Sequence, residues 1–266
     1  MSKRYISGKR VICTGASSGI GAALSRQLVT QGAHVLMVAR REERLKEVRD
    51  SVQGVTGQAF VHVADVTDAA SRQSIADFVS NEWGGAVDVL INNAGVGSIE
   101  VFSESDEATL RHVMEVNFFA AMELSRLLLP NLKRGTQAVI CNVGSVLGHF
   151  AVPQKSEYVA SKFALHGMTD ALRIELACDG IDVTLVSPST TGSEFFTSVL
   201  NGAEASDSKR RGMRPDDVAQ KIITGIIKGK REIIMSTGGK LLVLADRILP
   251  GLLSHIQMRR EEKRRE

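Results

Sequence analysis

Cysteine is scarce: the chain has three, Cys13, Cys141 and Cys178, far apart and odd in number, which indicates no disulfide framework. No Cys-x-x-Cys pair or Cys/His grouping has zinc spacing, and the six histidines are scattered, so no metal site is expected. Cys13 and Cys141 stand in apolar, strand-like runs, where a buried structural thiol is the ordinary outcome. A charge excess is also missing. At a net +3 there is no electrostatic reason to expect a nucleic-acid partner, and the most basic stretch, residues 258–266, is interleaved with glutamate. Residues 1–8 hold no apolar core of signal-peptide kind. The longest late apolar run, Leu241 to Leu253, contains Asp246, Arg247 and Pro250 and is too short and polar to cross a bilayer. A cytoplasmic protein is expected.

What the 266 residues do contain is alternation. Short β-branched runs at 9–14, 33–39, 58–63, 87–91, 137–143, 182–187 and 232–235 alternate with helix-like segments at about 20–31, 42–52, 68–82, 106–129, 156–178 and 216–227. Asp68 is a natural N-cap, and Pro130 is expected to stop the long fourth helix. The run at 87–91 is apolar except for Asp88, close to what a strand buried on both faces should be. Strand–helix alternation with crossovers of this length predicts an α/β fold: a doubly wound parallel sheet of Rossmann type, about seven strands with helices on both faces. No repeat, low-complexity stretch or linker divides it. We expect one catalytic domain over residues 1–239 and a C-terminal extension over 240–266.

The first strand–helix junction reads Thr14-Gly15-Ala16-Ser17-Ser18-Gly19-Ile20-Gly21. Glycines there let the backbone approach a pyrophosphate, and the helix N-terminus offers N–H groups and a favourable dipole. The spacing is Gly-x-x-x-Gly-x-Gly rather than the commoner Gly-x-Gly-x-x-Gly fingerprint. Farther on, Tyr158 and Lys162 lie four apart in a helix-like segment, so their side chains share a face. A nearby ammonium favours a phenolate and is expected to lower the phenol's pKa towards the range useful for acid/base work.

These segments resemble the short-chain dehydrogenase/reductase family, and the likeness runs in order from about residue 8 to 195. Thr14 to Gly21 is similar to the family's cofactor turn, Asn92-Asn93-Ala94-Gly95 to its Asn-Asn-Ala-Gly motif, and Tyr158-x-x-x-Lys162 to its catalytic pair. The resemblance implies catalytic roles for Asn117, Ser145, Tyr158 and Lys162. Ser145 would polarise the substrate oxygen; Asn117 would shape its helix and hold a water leading to Lys162; Lys162 would bind the nicotinamide ribose. It also implies cofactor contacts at Gly15, Ser17, Ser18, Gly19, Ile20 and Gly21, at Asp65 and Val66 (adenine), at Asn92, Ala94 and Gly95, and at Tyr158, Lys162, Pro188 and Ser193. Two positions depart from the pattern. Gly144-Ser145 replaces the usual Ser-Ser, and Pro188-Ser189 the usual Pro-Gly.

The second strand ends Val38-Ala39-Arg40-Arg41, with no acidic residue before Glu42. An NAD site places a carboxylate there, whereas basic groups suit the 2′-phosphate of NADP, so Arg40 and Arg41 predict NADP(H). The expected activity is hydride transfer between NADP(H) and a carbonyl or secondary alcohol. Phe195, Phe196, Val199 and Leu200, with His149, Phe150 and Val152, suggest a fairly hydrophobic small-molecule substrate. A 3-ketoacyl-carrier-protein reductase is disfavoured by Cys178-Asp179-Gly180, where such relatives carry a basic residue. A non-catalytic NADP(H)-binding regulator is disfavoured by the complete catalytic set. The resemblance implies a homodimer or homotetramer. In the extension, Leu241, Leu244, Ala245, Ile248, Leu252 and Ile256 recur at roughly helical spacing. Packing on this or a second subunit, peripheral membrane attachment through 240–258, and disorder all remain open.

Overall fold

The computed structural model describes residues 4–191, 199–200 and 212–265. Its main sheet has seven parallel strands in the order β3-β2-β1-β4-β6-β7-β9. These are β1 (Arg10–Thr14), β2 (His34–Ala39), β3 (Gln58–Val63), β4 (Val89–Asn92), β6 (Val139–Val143), β7 (Asp182–Ser187) and β9 (Glu232–Ile234). A separate parallel pair joins β5 (Gly97–Ser98) to β8 (Val199–Leu200). The helices are α1 (Gly19–Thr30), α2 (Glu42–Asp50), α3 (Ala69–Trp83), α4 (Glu107–Met114), α5 (Ala120–Leu127), α6 (Leu129–Lys133), α7 (Ser156–Glu175), α8 (Pro215–Ile227), α9 (Thr237–Ile248) and α10 (Pro250–Arg265).

Alternate strand residues feed two cores, as the period of two requires. Val11, Cys13, Val35, Met37, Ile91 and Cys141 pack against α1, α2 and α8. Ile12, Leu36, Val38, Leu90 and Ile140 face α3, α5 and α6 on the other side. The expected doubly wound sheet of about seven strands is what the chain forms. Cys13 and Cys141 lie in the first core and Cys178 is exposed. Strand order reverses between β1 and β4, so a crevice opens there at the carboxyl ends of the strands, the standard ligand position in such sheets.

Two helix expectations need correction. The continuous helix over 106–129 is interrupted: residues 115–119 form a single π turn, with the Ala120 N–H bonded to the Glu115 carbonyl five residues back. Its cause is long-range and lies with Asn117, described below. Nor does Pro130 end helical structure. It occupies the first turn of the short α6, where its missing N–H costs nothing. Asp68 does cap α3, accepting the Ser71 N–H at 2.7 Å. Beyond β9, Ser236 caps α9 through the Gly239 N–H at 2.9 Å, and α10 turns away at 112°. The helix therefore begins before the expected boundary after Gly239. No single helix among the described residues is long and apolar enough to cross a membrane.

Candidate active site

One cleft of about 740 Å³ occupies the switch point. At one end its wall is the β1–α1 turn, with Gly15, Ser17, Ser18, Gly19 and Ile20. Gly15 has φ +66°, and a Cβ on it would lie 2.9 Å from the Ala94 Cα, so the turn tolerates no side chain there. Gly21, expected as a cofactor contact, is not in the wall. A Cβ on it would fall 2.2 Å from the Gly15 carbonyl oxygen, so its role is to let α1 pack beneath the turn. Ser18 precedes α1 without a side-chain cap, and the first turn carries no acidic residue. This suits an anionic group at the helix N-terminus.

Arg40, Arg41, Asp65 and Val66 line the same end. Arg41 donates to the Ser17 hydroxyl at 3.2 and 3.3 Å, and the Arg40 guanidinium stands 3.7 Å from Asp65. Burial works against the charge of Asp65, but hydrogen bonds from Thr67 and the nearby Arg40 outweigh it and hold the carboxyl below its ordinary range. A glycine cradle beside a helix N-terminus, with two guanidiniums nearby, fits a nicotinamide dinucleotide.

Asn93, Ala94 and Gly95 also line the cleft, but Asn92 does not. The Asn92 amide is buried and donates to the Asn142 side-chain oxygen Oδ1 at 2.8 Å and to the Ser125 hydroxyl at 2.9 Å. Asn142 in turn donates to the Thr169 hydroxyl, so a polar chain ties β4, β6, α5 and α7 together. Asn93 is the residue that the motif reading missed. Its amide donates to the Thr14 carbonyl at 2.9 Å and its N–H to the Thr14 hydroxyl at 3.0 Å, fastening the two loops of the crevice.

At the other end stand Ser145, Tyr158 and Lys162. Ser145 opens the turn after β6 and accepts the Leu147 N–H at 3.1 Å, and its hydroxyl favours ionisation of the Tyr158 phenol. Lys162, one turn further along α7 and buried, donates to the Val143 carbonyl at 3.0 Å and lies 5.6 Å from the Tyr158 ring centre. The expected lowering of the phenol is reversed in the chain by itself. Burial pushes Tyr158 up to about 12, against the opposing influence of the Ser145 hydroxyl, and pushes Lys162 down to about 8. At neutral pH the phenol therefore holds its proton and the lysine is cationic.

Asn117 lies outside the wall, 1% exposed. Its amide accepts the Val96 N–H at 2.8 Å and donates to the Val96 carbonyl and the Ser161 hydroxyl, both at 2.9 Å. The side chain mimics a paired strand for the loop after β4, and the helix widens into the π turn around it. The sixth-strand loop contributes Pro188, Ser189, Thr190 and Thr191 to the cleft. Ser193, Phe195 and Phe196 lie outside the described residues; Val199 and Leu200 form β8.

The apolar end is lined by Val96, Ile99, Leu147, Phe150, Val152 and Leu242. His149 turns the other way. Its Nε2 lies 2.8 Å from the Ser187 hydroxyl and 3.2 Å from Glu232, and its ring centre lies 4.4 Å from that of His166. Burial, then the neighbouring His166 and Arg247, push His149 down to about 4. It is therefore neutral, and the short approach to Glu232 is not an ion pair. His149, His166 and Glu232 could bring three ligand atoms together. Ser187 and the Gly148 carbonyl instead use these rings to brace the turn that carries Ser145.

The order of glycine turn, Asn-Asn-Ala-Gly loop, serine and Tyr-x-x-x-Lys around one cleft is accompanied by a match of residues 9–203 to the short chain dehydrogenase family model. The chain belongs to the short-chain dehydrogenase/reductase family. A dehydrogenase/reductase SDR family protein 7-like from Drosophila melanogaster is 32% identical over 271 residues, 98% of this chain and 83% of that protein. A short-chain dehydrogenase/reductase from Burkholderia phymatum, solved with NAD, superposes with a TM-score of 0.85 over 94% of this chain and 96% of its own. At 24% identity this likeness concerns the fold. A metagenomic short-chain oxidoreductase solved with NADP gives a TM-score of 0.72 at 29% identity, covering 86% of this chain and 97% of its own. As a member of this family the chain is an oxidoreductase.

Proposed function

We propose that the chain transfers hydride between NADP(H) and a carbonyl or secondary alcohol on a fairly apolar substrate. The observation that carries the reading is Ser145 and Tyr158 together on the cleft wall with Lys162 buried beside them. The glycine turn and the loop after β7 would hold NADPH, which would supply the hydride when bound. Ser145 hydrogen-bonds the substrate oxygen, in a position fixed by the Leu147 N–H, and stabilises the charge that develops there. Tyr158 gives that oxygen its proton, and the phenolate left behind is favoured by Ser145 and by the Lys162 ammonium. In the alcohol-oxidising direction Tyr158 would act as the phenolate, favoured by the Lys162 ammonium, and accept the alcohol proton. Such acid/base assistance contributes on the order of 10²–10⁴ in rate.

NADP(H) is preferred because Arg40 and Arg41 occupy the end of β2 where a carboxylate would select NAD. The apolar lining opposite supports a hydrophobic substrate. The test is nucleotide oxidation by the purified chain against ketosteroids, retinals, medium-chain ketones and aldehydes, 3-ketoacyl thioesters and small sugars. Turnover with NADPH well above NADH, and apolar carbonyls ahead of sugars, is expected. Preference for NADH, or for sugars, would overturn the respective half of the reading.

A further inference from the structure

The apolar residues of α9 and α10 face the wrong way for a helix pair covering its own core. Only Gly239 and Val243 of α9 are buried, Val243 against Val146 and Phe150. Leu241, Leu244 and Ile248 on α9 are exposed, and so, beyond the 112° bend, are Leu252 and Ile256 on α10. The face that α10 turns to the protein is polar. Gln257 donates to the Ala151 carbonyl at 2.9 Å, Glu261 accepts from Gln154, and Arg264 donates to Gln154. The polar stripe is therefore anchored and the apolar stripe is left outward.

Charge separates in the same way. Residues 237–266 contain seven Lys or Arg against four Asp or Glu, while the 236 residues before them are balanced. The whole net charge of +3 thus resides in the segment that carries the exposed apolar stripe. A second copy of the chain would bring like charge to like charge. An anionic lipid surface complements both features, since such surfaces bind helices that combine an apolar face with excess Lys and Arg. We propose that α9 and α10 dock the protein in-plane on anionic membranes, with Ile248, Leu252 and Ile256 entering the headgroup boundary and Arg259 and Arg260 beside the phosphates.

The full-length chain would be sedimented with phosphatidylcholine vesicles with and without 30% phosphatidylserine (about that fraction gives a strongly negative surface). Ile248→Glu/Leu252→Glu and Arg259→Glu/Arg260→Glu variants would run in parallel, with circular dichroism as the check on folding. Light scattering without vesicles would give the mass. Expected is binding to the anionic vesicles that weakens at least about tenfold in each folded variant and on raising salt. Absence of wild-type binding would overturn the proposal. So would binding unchanged in folded variants, or a dimer that the apolar variant dissociates without any vesicle binding; the last result assigns the stripe to a second copy. If a variant misfolds, salt dependence and the neutral-vesicle control on the wild type decide the same question.

Discussion

At the scale of single residues, the proposed preference for NADP(H) rests on Arg40 and Arg41. Arg40 is 65% exposed, in reach of Asp65, while Arg41 is held across the cleft by Ser17. Charge-assisted hydrogen bonds of this kind contribute roughly 1.5–3 kcal/mol each. Arg40→Ala and Arg41→Ala should therefore each raise the KM for NADPH about tenfold or more while leaving that for NADH near its starting value. A uniform loss for both nucleotides would place the arginines in a merely structural role. Lys162 makes a second prediction. Its ammonium, pushed down to about 8 by burial, is lost as pH rises, so kcat/KM should decline through that region, the profile that reports groups of the free enzyme. A profile flat to about pH 9.5, well beyond that value, would show that the cation is not required. The pairing of Tyr158 with Lys162 was legible because four residues make one helical turn. The sign of the tyrosine's shift was not, since burial is a property of the folded site.

Elements show why other assignments escaped a linear reading. The π turn at 115–119 has no local signature: it follows from hydrogen bonds between Asn117 and Val96, twenty-one residues away in the chain. Motif spacing placed Asn92 among the cofactor contacts, yet pairing of Asn92 with Asn142 across the sheet turns its amide into the buried layer. Asn117→Ala would strand the Val96 N–H and carbonyl, at roughly 1–3 kcal/mol for each unsatisfied group. A drop of about 2–4 kcal/mol in urea unfolding is expected on that basis; no change would remove Asn117 from its structural role. The turn carrying Ser145 should be acid-sensitive through His149, whose side chain is 1% exposed. Its folded pKa of about 4 lies below the ordinary value of 6.5, so the unfolded chain binds more protons between them. Stability is then full above about pH 6.5 and falls by about 3 kcal/mol as pH drops towards 4. Comparing unfolding at pH 7 and 5 in wild type and His149→Leu should show a smaller acid loss in the variant. Equal losses would locate the sensitivity elsewhere.

For the whole molecule, strand–helix alternation and the largely apolar central strands made the doubly wound sheet legible in the sequence. Period-two burial then divides the two cores along the same strands. The closing of the cleft by α9 was not readable. It depends on Ser236 capping that helix while bonding Ser189, and on Val243 meeting Phe150, contacts between segments tens of residues apart. The central claim is that this architecture exists to place the Tyr158 proton against a substrate oxygen beside bound NADPH. The measurement that tests it most directly is kcat with NADPH and the best carbonyl substrate in wild type and Tyr158→Phe, together with the NADPH dissociation constant from nucleotide fluorescence. The account predicts that kcat falls at least about 10²-fold while NADPH affinity stays within a few-fold of wild type. Turnover in Tyr158→Phe equal to that of the wild type would contradict it.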